Sequence, residues 1–256
     1  MSLNRSLWRI APLFLVGVAS MWLFAEEKPT PELRQKAQQA LQSGNFRDAW
    51  QQFRALALHP EADRLLVGAD VAAAVQAAQQ VGEVEKVDEF LEAVAGVHAA
   101  NWRLLQVVAE TYMNLEHNGF QIAGEFQRGG HRGGGKWMNS LQRDRVRALQ
   151  LMQQGLPLAI QDEDRPAVAQ FHLAFARFLA YGQGAAEAWR LQTKTDLAVL
   201  PDYDEGYFYY GGQTRGAPVD AEGNPVYHKI PESWETAATD GERWRFMLTR
   251  VPAIDP

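Results

Sequence analysis

The chain has 256 residues and not one cysteine. That absence excludes disulfides, thiolate metal sites, a cysteine nucleophile and an acylated lipoprotein anchor, since each begins from a thiol. A basic run is missing too. The net charge of −6 becomes −8 once Arg5 and Arg9 are set aside, and an acidic chain of this kind lacks the electrostatic footprint of a nucleic-acid binder. Nucleic acid is therefore not expected as a partner. His59, His98, His117, His131, His172 and His228 show no pair four residues apart on a helix, so neither zinc nor iron is expected. No Gly-x-Ser-x-Gly elbow stands between a strand and a helix. The expectation is a chain that is no enzyme, with no catalytic residues, no metal and no cofactor.

Among what is present, the first 25 residues stand apart. Arg5 and Arg9 precede an uncharged, mostly apolar run from Ile10 to Ala25, and acidic Glu26 and Glu27 follow at once. This is the pattern of a secretory signal peptide over residues 1–25, cut after Ala25. It predicts an exported protein of the periplasm or cell envelope. Leu23 is larger than the small residue preferred two positions before the cut residue, and the rival reading is an uncleaved anchor. As a helix the 16-residue run reaches about 24 Å, against a hydrocarbon core of about 30 Å. Any contact with a membrane would come through that segment. The remaining 231 residues, 26–256, are enough for one large domain or two small ones and for a core that needs no staple.

The next signal is helical periodicity. Phe46, Ala49, Phe53 and Leu56 recur at steps of three and four between the Gly44-Asn45 turn and Pro60, so they share one helix face. The pattern returns 38 residues later with Gly82, Val84, Val87, Leu91 and Val94. It resembles the second helix of a tetratricopeptide repeat. The predicted fold is mainly α: stacked antiparallel helical hairpins with a glycine-rich loop, then a small C-terminal β-hairpin plus helix. Helical repeats fill 26–118 and 140–200. The first helix is capped by Thr30, with Pro31 where a missing N–H costs least, and Ser140 is the expected cap of the helix after the loop. Helices are also expected over Asp63 to Val81, Glu85 to Val97, Trp102 to Leu115, Pro166 to Tyr181 and Gly184 to Leu200. Residues 201–256 hold Tyr207–Tyr210 between glycines, a hairpin over Pro218–Tyr227 turning at Gly223 and Asn224, and a helix within Pro231–Arg250. The six tryptophans beyond residue 25 are expected as core or inter-helix plugs.

Between 119 and 139 seven glycines crowd together with Phe120, Phe126 and Trp137. Gly130-His131-Arg132-Gly133-Gly134-Gly135-Lys136 carries the glycines and lysine of a phosphate-binding loop. Trp137 then stands where a Ser or Thr must hold magnesium, and no acidic strand answers it. The loop is expected to be structural. Its basic residues Arg128, His131, Arg132 and Lys136 are the candidate site for an anion or an acidic partner surface, helped by free N–H groups before the Ser140 helix. Asp202, Asp204 and Glu205 lack the spacing of a calcium loop and read as helix capping and solvated charge.

A wider likeness rests on three blocks: His117-Asn118-Gly119-Phe120-Gln121-Ile122-Ala123-Gly124, Gly129 to Lys136, and Arg143-Asp144-Arg145-Val146-Arg147-Ala148-Leu149-Gln150-Leu151-Met152. With Ala188-Trp189-Arg190-Leu191-Gln192, Pro201-Asp202-Tyr203 and Arg215 to Asp220, they resemble the N-terminal helical region of large bacterial alpha-2-macroglobulin-like proteins, over about residues 30–256. The resemblance implies an exported protease-trapping system, hence a protease inhibitor. This chain would be its non-enzymatic leading segment, docking adjoining macroglobulin-type domains. Two departures matter. The family's thioester needs a cysteine, which is absent, and the β-sandwiches and bait region would lie beyond residue 256. The alternative is a stand-alone tetratricopeptide-like envelope adaptor for a peptide or protein partner.

Overall fold

The computed structural model of the chain describes residues 28–180, 185–206, 219–224 and 226–254. Residues 1–25, expected to be a signal peptide, and the Tyr207–Tyr210 run lie outside them. Within them the protein is mainly helical, with one small antiparallel sheet. The helices are α1 (Pro31–Gln42), α2 (Phe46–Leu58), α3 (Val67–Val81), α4 (Val87–Val97), α5 (Trp102–Asn114), α6 (Leu141–Ala159), α7 (Arg165–Leu179) and α8 (Asp240–Ile254). The strands are β1 (Asn118–Ile122), β2 (Glu125–Arg128), β3 (Lys136–Asn139) and β4 (Asp204–Glu205), in the order β2-β1-β3-β4. None of the described helices is long and apolar enough to cross a membrane.

Local chemistry sets the helix ends. Thr30 accepts a hydrogen bond from the Leu33 N–H at 3.3 Å, and Asp164 accepts one from Ala167 at 3.3 Å. Each is followed by a proline in the first turn. Gly44 and Gly82 adopt φ of 77° and 74°, the left-handed conformation a side chain resists. These two turns carry the 38-residue recurrence. The first helices of successive pairs step differently: α1, α3 and α5 begin at residues 31, 67 and 102, intervals of 36 and 35.

Each helix packs on its neighbours through one apolar stripe. α1 lies on α2, α2 on α3, α3 on α5, α5 on α6 and α7 on α8. The stripes merge into one core that runs from Ala37 in α1 to Met247 in α8 and includes Phe53, Phe90, Leu105, Met152, Phe171 and Phe175. Trp50 and Phe90 meet edge to face at 5.1 Å between centroids, as do Trp102 and Phe171 at 5.4 Å. Trp50, Trp102 and Trp234 are the buried tryptophans expected of core plugs, whereas Trp137, Trp189 and Trp244 are half-buried.

Polar clasps tie successive pairs at a constant sequence interval. The Arg34 guanidinium forks onto Asp70 with bonds of 2.8 Å, Arg47 reaches Glu83 at 3.2 Å, and Arg64 donates to the Ala100 carbonyl at 3.1 Å. All three span 36 residues. Between them, the buried His98 Nε2 donates to the Ala57 carbonyl at 2.9 Å and Asn101 donates to the Arg64 carbonyl at 2.9 Å.

Three expectations are corrected. The glycine-rich window 119–139 is mostly sheet: β1 and β2 form a hairpin, β3 pairs on the other edge of β1, and the sheet is inserted between α5 and α6. The helix expected over Gly184 to Leu200 is not formed across the described residues, 185–200. Only Ala185–Arg190 forms a short 3-10 turn, and from Leu191 the chain is irregular, with the Thr195 and Leu197 carbonyls accepting from Arg243 and Gln150 of neighbouring helices. Of the hairpin expected over Pro218–Tyr227, Pro218 and Pro225 lie outside the described residues. Its turn is present: the Asp220 N–H donates to the Asn224 carbonyl at 2.9 Å, Gly223 has φ of 86° and Val219 forms a single β-bridge. The terminal helix begins only at Asp240.

Candidate functional site

The sheet and its β2–β3 loop carry the candidate residues, with Arg128 on β2, His131 and Arg132 in the loop and Lys136 on β3. Successive side chains alternate between faces, so Gly119, Phe126, Arg128 and Met138 share the face turned to the helices, while Phe120, Ile122, Gln127 and Trp137 share the other. Ala123 and Gly124, at φ of 51° and 91°, make the two-residue turn from β1 to β2. Gly119 is required by a close approach: a Cβ there would run into the Gln127 carbonyl and the Phe126 ring. On the same inward side Tyr203 stacks on Phe126 at 4.3 Å, with the Arg143 guanidinium 4.8 Å from the Tyr203 ring centre.

Arg128 is the first residue whose place differs from expectation. It is 4% exposed, so it cannot receive a partner from solvent. Its guanidinium bonds to both Asp88 oxygens from 2.8 Å, to both Asp144 oxygens at 2.8 and 3.0 Å, and to the Glu116 carbonyl at 2.6 Å. The Ser140 hydroxyl accepts a bond from Arg128 at 3.0 Å and donates one to Asp144 at 2.6 Å. Asp144 also accepts the Nδ1–H of His117 at 2.8 Å. A buried cation needs this many partners, because its desolvation costs several kcal/mol. Arg128 thereby joins the sheet to the first turns of α4 and α6. Ser140, expected to cap α6 with its side chain, spends its hydroxyl in this network, and the Asn139 side chain accepts from the Leu141 N–H instead, at 2.9 Å.

The other three candidates stay outside. His131 and Arg132 are exposed in the loop between β2 and β3, and exposed Lys136 pairs with Glu205 of β4. Asp204 and Glu205, expected in helix capping, are the sheet's short edge strand. The outer face next to them is aromatic. Phe120 meets Trp137 edge to face at 5.0 Å and lies 5.9 Å from the His131 ring.

Ser140, His117 and Asp144 are the residue types of a nucleophile relay, but their connections are wrong for one. The Ser140 hydroxyl donates to the carboxylate, not to an imidazole nitrogen, and Ser140 is fully buried; a working relay needs the hydroxyl on the imidazole and open to substrate. Among the described residues no group of three or more His, Asp or Glu side chains is arranged to hold a metal ion. The sequence reading missed Asp88, His117, Ser140 and Asp144 as a set. Three separate segments supply them, and only folding brings them together.

Burial pushes the Asp144 carboxyl up, but the bonds from His117, Arg128 and Ser140 and the charge of Arg128 outweigh it and hold the group below its ordinary value. For Asp88 burial prevails over Arg128 and the value is raised. Burial also lowers His98 and His172, against the bonds each makes to a backbone carbonyl. A depressed histidine or carboxylate contributes stability that is present above its unfolded value and lost as pH falls through the folded one. Raised Asp88 has the opposite sign and offsets part of the loss. Urea midpoints should therefore be level above pH 6.5, decline below it as the two histidines are forced to charge, and decline again below 3.8 through Asp144. A midpoint that rises between pH 7 and pH 5.5 would contradict this assignment.

No protein-family model, curated protein or solved structure matches the chain.

Proposed function

We propose that this chain is a non-enzymatic exported scaffold. It is a tetratricopeptide-like stack of helical hairpins, similar to the leading segment of alpha-2-macroglobulin-like protease traps, that docks adjoining macroglobulin-type domains. The observation that carries the reading is the recurrence of the cross-pair clasps at 36 residues, Arg34 to Asp70, Arg47 to Glu83 and Arg64 to Ala100. Contacts that join a residue to the one a repeat length farther on are what stacked hairpins produce when each covers the apolar face of the next. The polar groups sequestered in the core serve the stack itself: Arg128, Asp144 and Ser140 bond to one another. The leader at 1–25 supports export to the periplasm or envelope.

The test uses residues 26–256 and a purified macroglobulin-type protein encoded by a neighbouring reading frame. The two should co-elute in size exclusion at micromolar concentrations, where a specific complex of modest affinity persists. Separate elution would overturn the macroglobulin partner and favour the stand-alone envelope adaptor. ATP hydrolysis lost on Lys136→Ala would overturn the non-enzymatic reading.

A further inference from the structure

α2 and α4 are neighbours and are tied at both ends. At the start of α2 the tie is a carboxylate. Glu83, in the turn ahead of α4, accepts from Arg47 at 3.2 Å, from the Trp50 Nε1–H at 3.0 Å and from Lys86 at 2.9 Å. At the end of α2 the tie is a histidine. His98 closes α4 and is buried, and its Nε2 donates to the Ala57 carbonyl. That carbonyl is one of the last four of α2, which a helix leaves without a donor of its own.

Two inter-helix turns meet around His98. Arg64 donates to the Ala100 carbonyl, and Asn101 returns a bond to the Arg64 carbonyl. The turn on the α2 side is the looser of the two. Between His59 and Leu66 only Ala62 is buried, and Leu65 is 72% exposed. Lifting this segment therefore uncovers little apolar surface.

A charge on His98 meets no counter-charge. The charged groups of the surrounding elements are committed elsewhere: Glu61 to Lys28, Asp63 to the Leu65 N–H, Asp70 to Arg34, Glu92 to Arg147, and Arg103 to Asp162 and Asp164. Among the described residues no carboxylate pairs with His98, and His59 adds a charge of the same sign. The end of α2 favours a cation, as does the bond to Ala57, but burial prevails and holds the imidazole below its ordinary value. His172 is different: its Nδ1 donates within α7, to the Val168 carbonyl at 2.9 Å, so its bond ties no second element.

We propose that the α2–α4 contact is an acid-sensitive joint: protonation of His98 parts the end of α2 and residues 59–66 from the α4–α5 turn, while the Glu83 clamp at the other end serves as the hinge. The clamp keeps its charges in mild acid, because the Lys86 bond holds the Glu83 carboxyl below its ordinary value and Arg47 does not titrate. A histidine depressed in the closed joint and ordinary in the open one favours closure above pH 6.5 and opening as pH falls below it. The decline in stability in acid thus begins at one place, before the stack unfolds.

Amide hydrogen exchange on residues 26–256, with times scaled for the intrinsic rate at each pH, reads the joint. Between pH 7.5 and pH 5 the protection of residues 56–66 should fall at least about five-fold, with no comparable loss in 31–50 or in α6. His98→Gln keeps an N–H donor for Ala57 and cannot take a charge, so it should hold that protection within about two-fold. No fall in the parent, an equal fall in the variant, or a fall shared evenly along the chain overturns the joint. If His98→Gln does not fold, the imidazole resonances of the unaltered chain decide. His98 titrating over the pH range in which 56–66 loses protection supports the proposal, and a segment that opens while His98 stays neutral overturns it. No partner protein enters either readout, so failure here is distinguishable from failure of the scaffold reading.

Discussion

Replacing Arg128 with alanine should lower folding stability by about 3–5 kcal/mol, the range for removing one partner of a buried ion pair. The guanidinium sits between Asp88 and Asp144 with its side chain 1% exposed. Without it Asp144 loses its counter-charge in a site that water reaches poorly, and Asp88, with its side chain 31% exposed, loses its counter-charge nearer the surface. Asp144 would keep His117 and Ser140, whereas Asp88 has no other hydrogen-bond donor of the network. The sheet should come loose first, because Arg128 is its bond to both α4 and α6. Urea unfolding gives the loss, and near-ultraviolet dichroism reports Trp137 as the sheet departs. Arg132→Ala, at an exposed position of the following loop, should stay within about 0.5 kcal/mol. Equal effects of the two substitutions would mean that the buried network contributes nothing beyond surface charge.

Phe171→Ala should cost a comparable amount, about 3–5 kcal/mol, for a different physical reason. Phe171 is fully buried where α5, α6 and α7 converge. Its ring meets Trp102 edge to face and lies 6.2 Å from Phe175. Gly155 on α6 allows the approach, since a Cβ there would sit 3.3 Å from the ring. Helices so close cannot collapse into the vacated space, and a cavity is left. At this chain length the loss corresponds to a fall of roughly 6–20 °C in midpoint temperature. A shift under about 2 °C would show that the three helices relax onto one another and that the core is less tightly packed than its geometry indicates.

Much of this architecture was legible because helix signals are local. The step of three and four through Phe46, Ala49, Phe53 and Leu56 describes one face, and Ala49, Phe53 and Leu56 are indeed buried while Phe46 stays half-exposed. Thr30, Pro31, Gly44 and Gly82 act within a few residues of themselves, so their effects survive in any context. The glycine-rich window was misread for the opposite reason. Its turn places Ala123 at positive φ, a conformation that alanine does not advertise. Its strands are four or five residues long and exist only because β1 pairs on both edges. The course of Leu191–Pro201 was equally hidden: Arg145, Gln150, Asp240 and Arg243, which hold it, lie up to 50 positions away.

Among the candidate residues, charge alone suggested four equivalent cations, and the fold made them unequal. Arg128 alternates with Gln127 on β2, so a pleat decides that one side chain faces Asp144 and the other faces out. Sequence by itself determined the helical character, the hairpin turns, the lack of thiol chemistry and the acidic balance, because these follow from composition and from neighbours in the chain. Tertiary structure alone decided which cation is buried, which carboxylates answer it and where the segment Leu191–Pro201 lies. Those outcomes depend on desolvation and on pairings between segments tens of residues apart, and neither quantity exists until the chain has closed on itself.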